Sequence, residues 1–203
     1  MGLPAGNLWV RIARGKTCCI RQKRVVHLVF DAISLKVFPN CEIHIVMPKI
    51  EISLASIVDS ELVGLIESAP LPTLGEGPDH PELRRWLNRN ARQTPELAVC
   101  GLWLLCGDLN LSHEISQRIE TPDGSFWHGI MHRREGDFWN SKYWFRRVGK
   151  HPVLKSLAQT PYGDAQAFVD RCEAAMNGNE EQQVHCQELQ WLEWQHLFAH
   201  CSS

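Results

Sequence analysis

The chain has 203 residues, of which 44% are hydrophobic and 22% are charged, and its formal net charge is -2. This is the composition of an ordinary soluble globular protein with one core, and no low-complexity tract is present. The small net charge gives no overall attraction to nucleic acid or to an anionic membrane.

The eight cysteines are scattered along the chain and form no CxxC pair. Four of the last five lie among apolar residues in helix-like sequence, where a free cysteine behaves as a small hydrophobic side chain. The first fifteen residues lack the apolar core and cleavage site of a secretory signal. The longest strongly apolar run, Leu97 to Cys106, is about half the roughly 20 residues that a membrane span needs. We therefore expect a reduced, cytoplasmic protein without a transmembrane helix.

The first 46 residues differ in character from the rest. Between Met1 and Ile50, eight Lys and Arg residues stand against two acidic ones, a net charge of +6, so the remainder carries -8. The segments VVHLVF and CEIHIV alternate and contain β-branched residues, which predicts two or three short strands or one hairpin. Residues 1–46 are interpreted either as a basic arm for nucleic acid or a membrane surface, or as a poorly packed extension. Residues 47–203 then form the main domain.

From Ile50 onwards, apolar residues recur at steps of three and four, which is typical of amphipathic helices. We predict a mainly α fold, with six or seven helices packed as one compact domain. Asp79 is the expected N-cap of the second helix, and Thr121 to Gly124 are expected to form a turn. The predicted helices cover residues 50–69, 81–90, 96–117, 125–135, 139–148, 165–176 and 180–200, with a short helical turn at 153–158.

Four of the ten histidines and three of the eight tryptophans lie between residues 112 and 152. In the helix over 125–135, His128, His132 and Glu135 project from one face, where they can transfer protons or bind a metal. Two imidazoles and a carboxylate can hold Zn²⁺ and leave one position for water, whose pKa the metal lowers. His113 and Glu114 of the preceding helix are further candidate ligands. Alternatively, the histidines are core or interface residues without a ligand.

A second group of candidate residues is basic and aromatic, and it suits the carboxylate or phosphate of a small anionic ligand. On a helix, Asn140, Trp144 and Arg147 share a face. The alternative is a solvated surface with exposed ion pairs, which are worth about 0–1 kcal/mol each. The candidate ligand-binding residues are Arg133, Arg134, Asn140, Lys142, Tyr143, Arg146, Arg147 and His151.

Three functions are compatible with these groups. The favoured one is a pocket for a small anionic molecule, with a metal-assisted hydrolase as its enzymatic form. The alternative is a non-catalytic interaction module in which Trp127, Trp139 and Trp144 pack or anchor a partner. Arginines interleaved with aromatic residues also suit nucleic acid, but the acidity of residues 51–203 argues against it.

The block SHEISQRIETPDGSFWHGIMHRREGDFWNSKYWFRRVGKHP resembles the signature of an uncharacterised family of hypothetical proteins from bacteria and fungi. The resemblance begins near Met47, continues through DAQAFVDRCEAA and LQWLEWQHLF, and covers about three quarters of the chain. It does not include residues 1–46. It implies an all-helical domain and assigns no catalytic role to any residue.

Overall fold

The computed structural model describes residues 7–12, 16–21 and 59–202. The chain divides into two compact units, Met1–Met47 and Pro48–Ser203. In the first unit, β1 (Asn7–Ile12) and β2 (Lys16–Arg21) pair antiparallel. The segments VVHLVF and CEIHIV, on which the strand prediction rests, lie outside the described residues.

The second unit is mainly α, as predicted, and its described part contains nine α-helices. A short 3-10 helix, Ala91–Gln93, follows the second of them. None of the helices in residues 59–202 is long and apolar enough to cross a membrane. The helices are α1 (Ser60–Ser68), α2 (Pro81–Asn90), α3 (Glu96–Cys106), α4 (Leu109–Ser116), α5 (Pro122–Glu135), α6 (Phe138–Val148), α7 (Pro152–Leu157), α8 (Ala165–Met176) and α9 (Glu180–Cys201).

The structure defines the starts of α1 and α2. Asp59 accepts the Leu62 N–H at 2.8 Å and is the N-cap of α1, which begins at Ser60, whereas residues 50–58 of the predicted helix lie outside the described residues. The N-cap of α2 is His80 and not Asp79. Asp79 instead accepts hydrogen bonds from the Arg84 guanidinium, at 2.6 and 2.8 Å, which as charge-assisted bonds are stronger than a neutral cap.

The helix predicted over residues 96–117 is two helices, because Gly107 ends α3 with a φ of 85°. A Cβ at this position would lie 2.6 Å from the Pro78 carbonyl oxygen, so the turn has room for glycine alone. Asp108 then caps α4 by accepting the Leu111 N–H at 3.0 Å. Gly107 and Asp108 therefore divide the predicted helix into α3 and α4, which remain in contact through Cys100 and Ser112.

Residues Thr121 to Gly124 are not a turn between helices but the start of α5, three residues before the predicted start. The Thr121 hydroxyl accepts the Gly124 N–H at 3.1 Å, and Pro122 occupies the first helical position. Every residue from Gly124 to Arg134 is buried, which makes α5 the central helix of the unit.

Close backbone contacts hold α5 against its neighbours. A Cβ at Gly101 of α3 would lie 2.6 Å from the indole of Trp127, so this glycine lets the two helices approach. On the α6 side, the Ser141 hydroxyl donates a 2.7 Å hydrogen bond to the Gly129 carbonyl. These contacts fix the position and the rotation of α5, and with them the directions of its histidines.

Candidate metal centre

Three histidines from two helices converge beside α5. His128 and His132 project from α5 and His113 from α4, and one ring nitrogen of each lies within 4.8 Å of the others. The rings of His128 and His132 are stacked at 4.7 Å, and that of His113 meets both edge-on at 4.8 and 5.3 Å. Nitrogens bound to tetrahedral zinc lie about 3.3 Å apart. To bind zinc, the three ligand nitrogens would therefore have to approach one another by about 1.5 Å or less.

The hydrogen bonds of His132 show which of its two ring nitrogens has the lone pair. Its Nδ1 lies 2.9 Å from Oε2 of Glu135, a carboxylate that can only accept, so the proton is on Nδ1. Its Nε2 therefore accepts a hydrogen bond from the side-chain amide of Asn140, at 3.1 Å. Metal-bound histidines usually donate their other ring N–H to a carboxylate in this way, which fixes the orientation of the ring.

His128 is buried, with 3% of its surface exposed, and its Nδ1 has no hydrogen-bond partner. Its ring stacks on the indole of Trp144 at 4.0 Å. Burial, together with the nearby His132 and His113, lowers the pKa of His128 to about 3. Burial also lowers the pKa of His132, against the opposing effect of the Glu135 hydrogen bond. Both imidazoles are consequently neutral near pH 7, as metal ligands must be.

The two acidic residues predicted to take part in the site, Glu114 and Glu135, do not lie among the converging histidine nitrogens. Glu114 is exposed and does not belong to the group of converging ligand atoms. Glu135 is exposed as well but reaches the cluster through Nδ1 of His132. The spacing of His128, His132 and Glu135 thus does place them on one face, with Glu135 outside the ring of nitrogens.

Two of the predicted anion-binding arginines are buried and engaged within the fold. Both side-chain oxygens of Glu193 accept hydrogen bonds from Arg133, whose pKa is raised because Glu193 outweighs the effect of burial. Arg134 donates to the backbone carbonyls of Gly75, Glu76 and Leu104, and burial and Arg133 lower its pKa to about 10. Neither guanidinium is turned toward a ligand site.

The remaining basic candidates lie on α6. Lys142 forms an ion pair with Asp170 of α8. The Arg147 guanidinium lies 5.2 Å from the Trp144 ring and 6.0 Å from that of Tyr143. Arg146 is exposed. Asn140, Trp144 and Arg147 follow one another along the face of α6 that meets the histidines, in agreement with their spacing.

His151 belongs to a second group, with Asp123 and His200, that the sequence interpretation missed. Asp123 Oδ1 lies 2.8 Å from Nε2 of His151 and 3.1 Å from Nε2 of His200. Nδ1 of His151 accepts the Val153 N–H at 3.2 Å, so its proton is on Nε2 and is donated to Asp123. Because that nitrogen has no lone pair to offer, this group suits a metal less well than the three histidines. No local spacing links its members, which come from α5, the α7 cap and α9.

A cavity of about 270 Å³ lies elsewhere in the helical unit and shares no residue with either group. Its lining includes Asp59, Trp86, Asn90 and Ser202.

The geometry therefore defines a helical protein with a candidate three-histidine metal centre. No family model, no curated protein and no solved structure matches the chain. The resemblance to a family of hypothetical proteins accordingly stays a prediction.

Proposed function

We propose that the helical unit binds a divalent transition metal such as Zn²⁺ through His113, His128 and His132, and uses it to hydrolyse a small anionic substrate. Two observations carry this proposal: one ring nitrogen of each of the three histidines lies within 4.8 Å of the others, and Nδ1 of the buried His128 has no hydrogen-bond partner. A buried imidazole nitrogen without a partner costs free energy, and a metal ion would compensate for that cost.

The donor set supports hydrolytic chemistry. Three neutral imidazoles leave the metal its full positive charge and a fourth position for water or a substrate oxygen. Zn²⁺ held in this way lowers the pKa of bound water to about 7 and polarises a carbonyl or phosphoryl group. Glu135 orients His132 and raises the basicity of its ligating nitrogen.

Arg147 is the residue through which an anionic substrate would be recognised. It is exposed, and its guanidinium lies 5.2 Å from the ring of Trp144, which also stacks on the ring of His128. A guanidinium positioned by an aromatic ring can form a bidentate bond with carboxylate or phosphate. Arg133, Arg134 and Lys142 contribute to the fold instead, because each already has a partner.

We expect Zn²⁺ to bind the purified chain, and His128→Gln to weaken that binding by at least about 100-fold, since a nitrogen that binds the metal directly is lost. Glu135→Gln should weaken it by about 10- to 100-fold, the usual effect of removing a carboxylate that orients a metal-bound histidine. Isothermal titration of the chelator-treated protein with Zn²⁺ measures both.

His185→Gln is the matched control for these variants, because His185 is exposed on α9 and lies outside both groups. It should bind Zn²⁺ as the unaltered chain does. Equal affinity in the unaltered chain and in His128→Gln would contradict the proposed metal site.

Inorganic phosphate is expected to raise the melting temperature of the Zn²⁺-loaded protein, and Arg147→Gln should weaken phosphate binding roughly tenfold. A hydrogen bond to a charged group contributes about 1.5–3 kcal/mol, and 1.4 kcal/mol corresponds to a factor of ten. Arg92→Gln, at another exposed arginine, is the control. Equal phosphate affinity in both variants would remove Arg147 from the proposed substrate site.

The second candidate function is a protein-interaction module. Trp139 is 75% exposed and stacks on the half-exposed ring of Tyr143 at 6.4 Å, whereas Trp127 is fully buried and serves packing alone. An exposed tryptophan is a frequent anchor at protein interfaces. This function requires no metal, so the Zn²⁺ titration separates the two candidates.

A further inference from the structure

Asn140 is a neighbour of the candidate metal centre. Its side-chain nitrogen is 3.1 Å from Nε2 of His132, the nitrogen that would bind a metal because Nδ1 holds the proton shared with Glu135. Two ligand atoms of a tetrahedral zinc site are separated by about 3.0–3.4 Å. The side chain is therefore at the right distance, but it presents the amide nitrogen, which donates and cannot coordinate.

The backbone around Asn140 is fixed by the turn between α5 and α6. Gly136 ends α5 with a φ of 88°, and Asp137 caps α6 by accepting the Asn140 N–H at 3.0 Å. Only two residues separate the helices, so Asn140 cannot withdraw with its backbone. A metal ion at His132 must be accommodated by rotation of the Asn140 side chain.

We infer that Asn140 is the fourth ligand of this metal centre, and that its amide turns by about 180° when the metal binds, so that Oδ1 replaces Nδ2. The inference rests on the proposed function. Without a metal, the lone pair of His132 Nε2 attracts an N–H donor. A cation bound to Nε2 attracts the negative end of the amide dipole instead. The amide oxygen Oδ1 is then favoured over Nδ2 as the neighbour of the metal.

The chemical nature of this fourth ligand determines how easily water or a substrate can reach the metal. An amide oxygen is neutral and binds zinc more weakly than a carboxylate or a thiolate does. Water or an anionic substrate can therefore displace it, or join it as the metal expands to five ligands. Asn140 thus coordinates the metal when no substrate is bound, and an anionic substrate displaces it.

Titration of the full-length chain with Zn²⁺, after removal of metal by a chelator, tests this inference through the sign of two effects. Asn140→Leu should weaken binding by about tenfold or more, because an oxygen ligand is lost. Asn140→Asp should strengthen it, because a charged oxygen takes the same position. If Asn140 were merely a hydrogen-bond competitor for Nε2, Asn140→Leu would bind Zn²⁺ more tightly than the unaltered chain.

Asn110→Leu is the matched control, since Asn110 is exposed on α4, the helix that carries His113. It should bind Zn²⁺ normally, and metal-free melting curves show that each variant folds. Unchanged or tighter binding in Asn140→Leu, while His128→Gln still weakens binding as expected, overturns the role of Asn140 alone. Absence of binding in the unaltered chain, or equal binding in His128→Gln, overturns the metal centre and this inference with it.

Discussion

Replacing Glu193 with alanine should lower the free energy of unfolding by roughly 3–5 kcal/mol, because it leaves the Arg133 charge buried without its partner. Arg133 is 1% exposed and Glu193 is not exposed at all. Glu193 also accepts a 2.6 Å hydrogen bond from the Tyr162 hydroxyl, which loses its partner in the same variant. Chemical denaturation monitored by circular dichroism measures the loss.

Glu61→Ala is the matched control for this prediction. It removes an ion pair with Arg89 in which both side chains are 62% exposed, so we expect a change of only about 0–1 kcal/mol. The double replacement Arg133→Met with Glu193→Leu should be less destabilising than Glu193→Ala, because no unpaired charge remains. A loss below about 1 kcal/mol in Glu193→Ala would contradict the stabilising role of the buried pair.

The metal-free protein should lose stability as the pH falls from 7 to 5, and His128 alone should account for roughly 2 kcal/mol of that loss. The pKa of His128 is lowered from an ordinary 6.5 to about 3. Between pH 3 and pH 6.5, this histidine is protonated in the unfolded chain but stays neutral in the folded chain. A fall in pH therefore favours unfolding. The stability that this histidine contributes is complete above pH 6.5 and decreases as the pH falls toward 3.

The variant His128→Phe isolates this effect, since an aromatic ring can keep the stacking on Trp144 but cannot titrate. Denaturation measured at pH 7 and pH 5 in the presence of a chelator should show a smaller pH-dependent loss in the variant, by roughly 2 kcal/mol. The same loss in both proteins would show that the His128 ring is accessible to protons in the folded state.

The positions of most helices could be predicted from local sequence. Gly136 and Gly149 end helices as expected, and α8 spans the predicted residues. The errors were at capping residues, where neighbouring candidates compete. Asp79 and His80 both have a side chain suited to an N-cap, and the charge of Arg84, which binds Asp79, decides between them.

Part of the candidate metal site could also be predicted locally. The pair His128 and His132 follows from a spacing of four residues on one helix, and Asn140 and Trp144 follow from the same rule on the next. Arg133 and Arg134 lie inside the fold, which the sequence could not show because it shows a charge but not its burial. Arg133 lies next to the histidines in the chain, yet its partner Glu193 is 60 residues away on α9.

The sequence by itself determined the helical fold class, the positions of most helices and the histidine-rich face of α5, because all three depend on residues within a few helical turns. The tertiary structure alone decided that His113 joins that face while Glu114 does not, that Arg133 and Arg134 are internal, and that Asn140 faces His132. These outcomes depend on how α3 and α6 pack on α5 at Gly101 and Gly129, and on how α4 packs beside α3 and α5. Such packing depends on surfaces formed by residues that are far apart in the chain. The spacing of residues within one helix therefore cannot predict it.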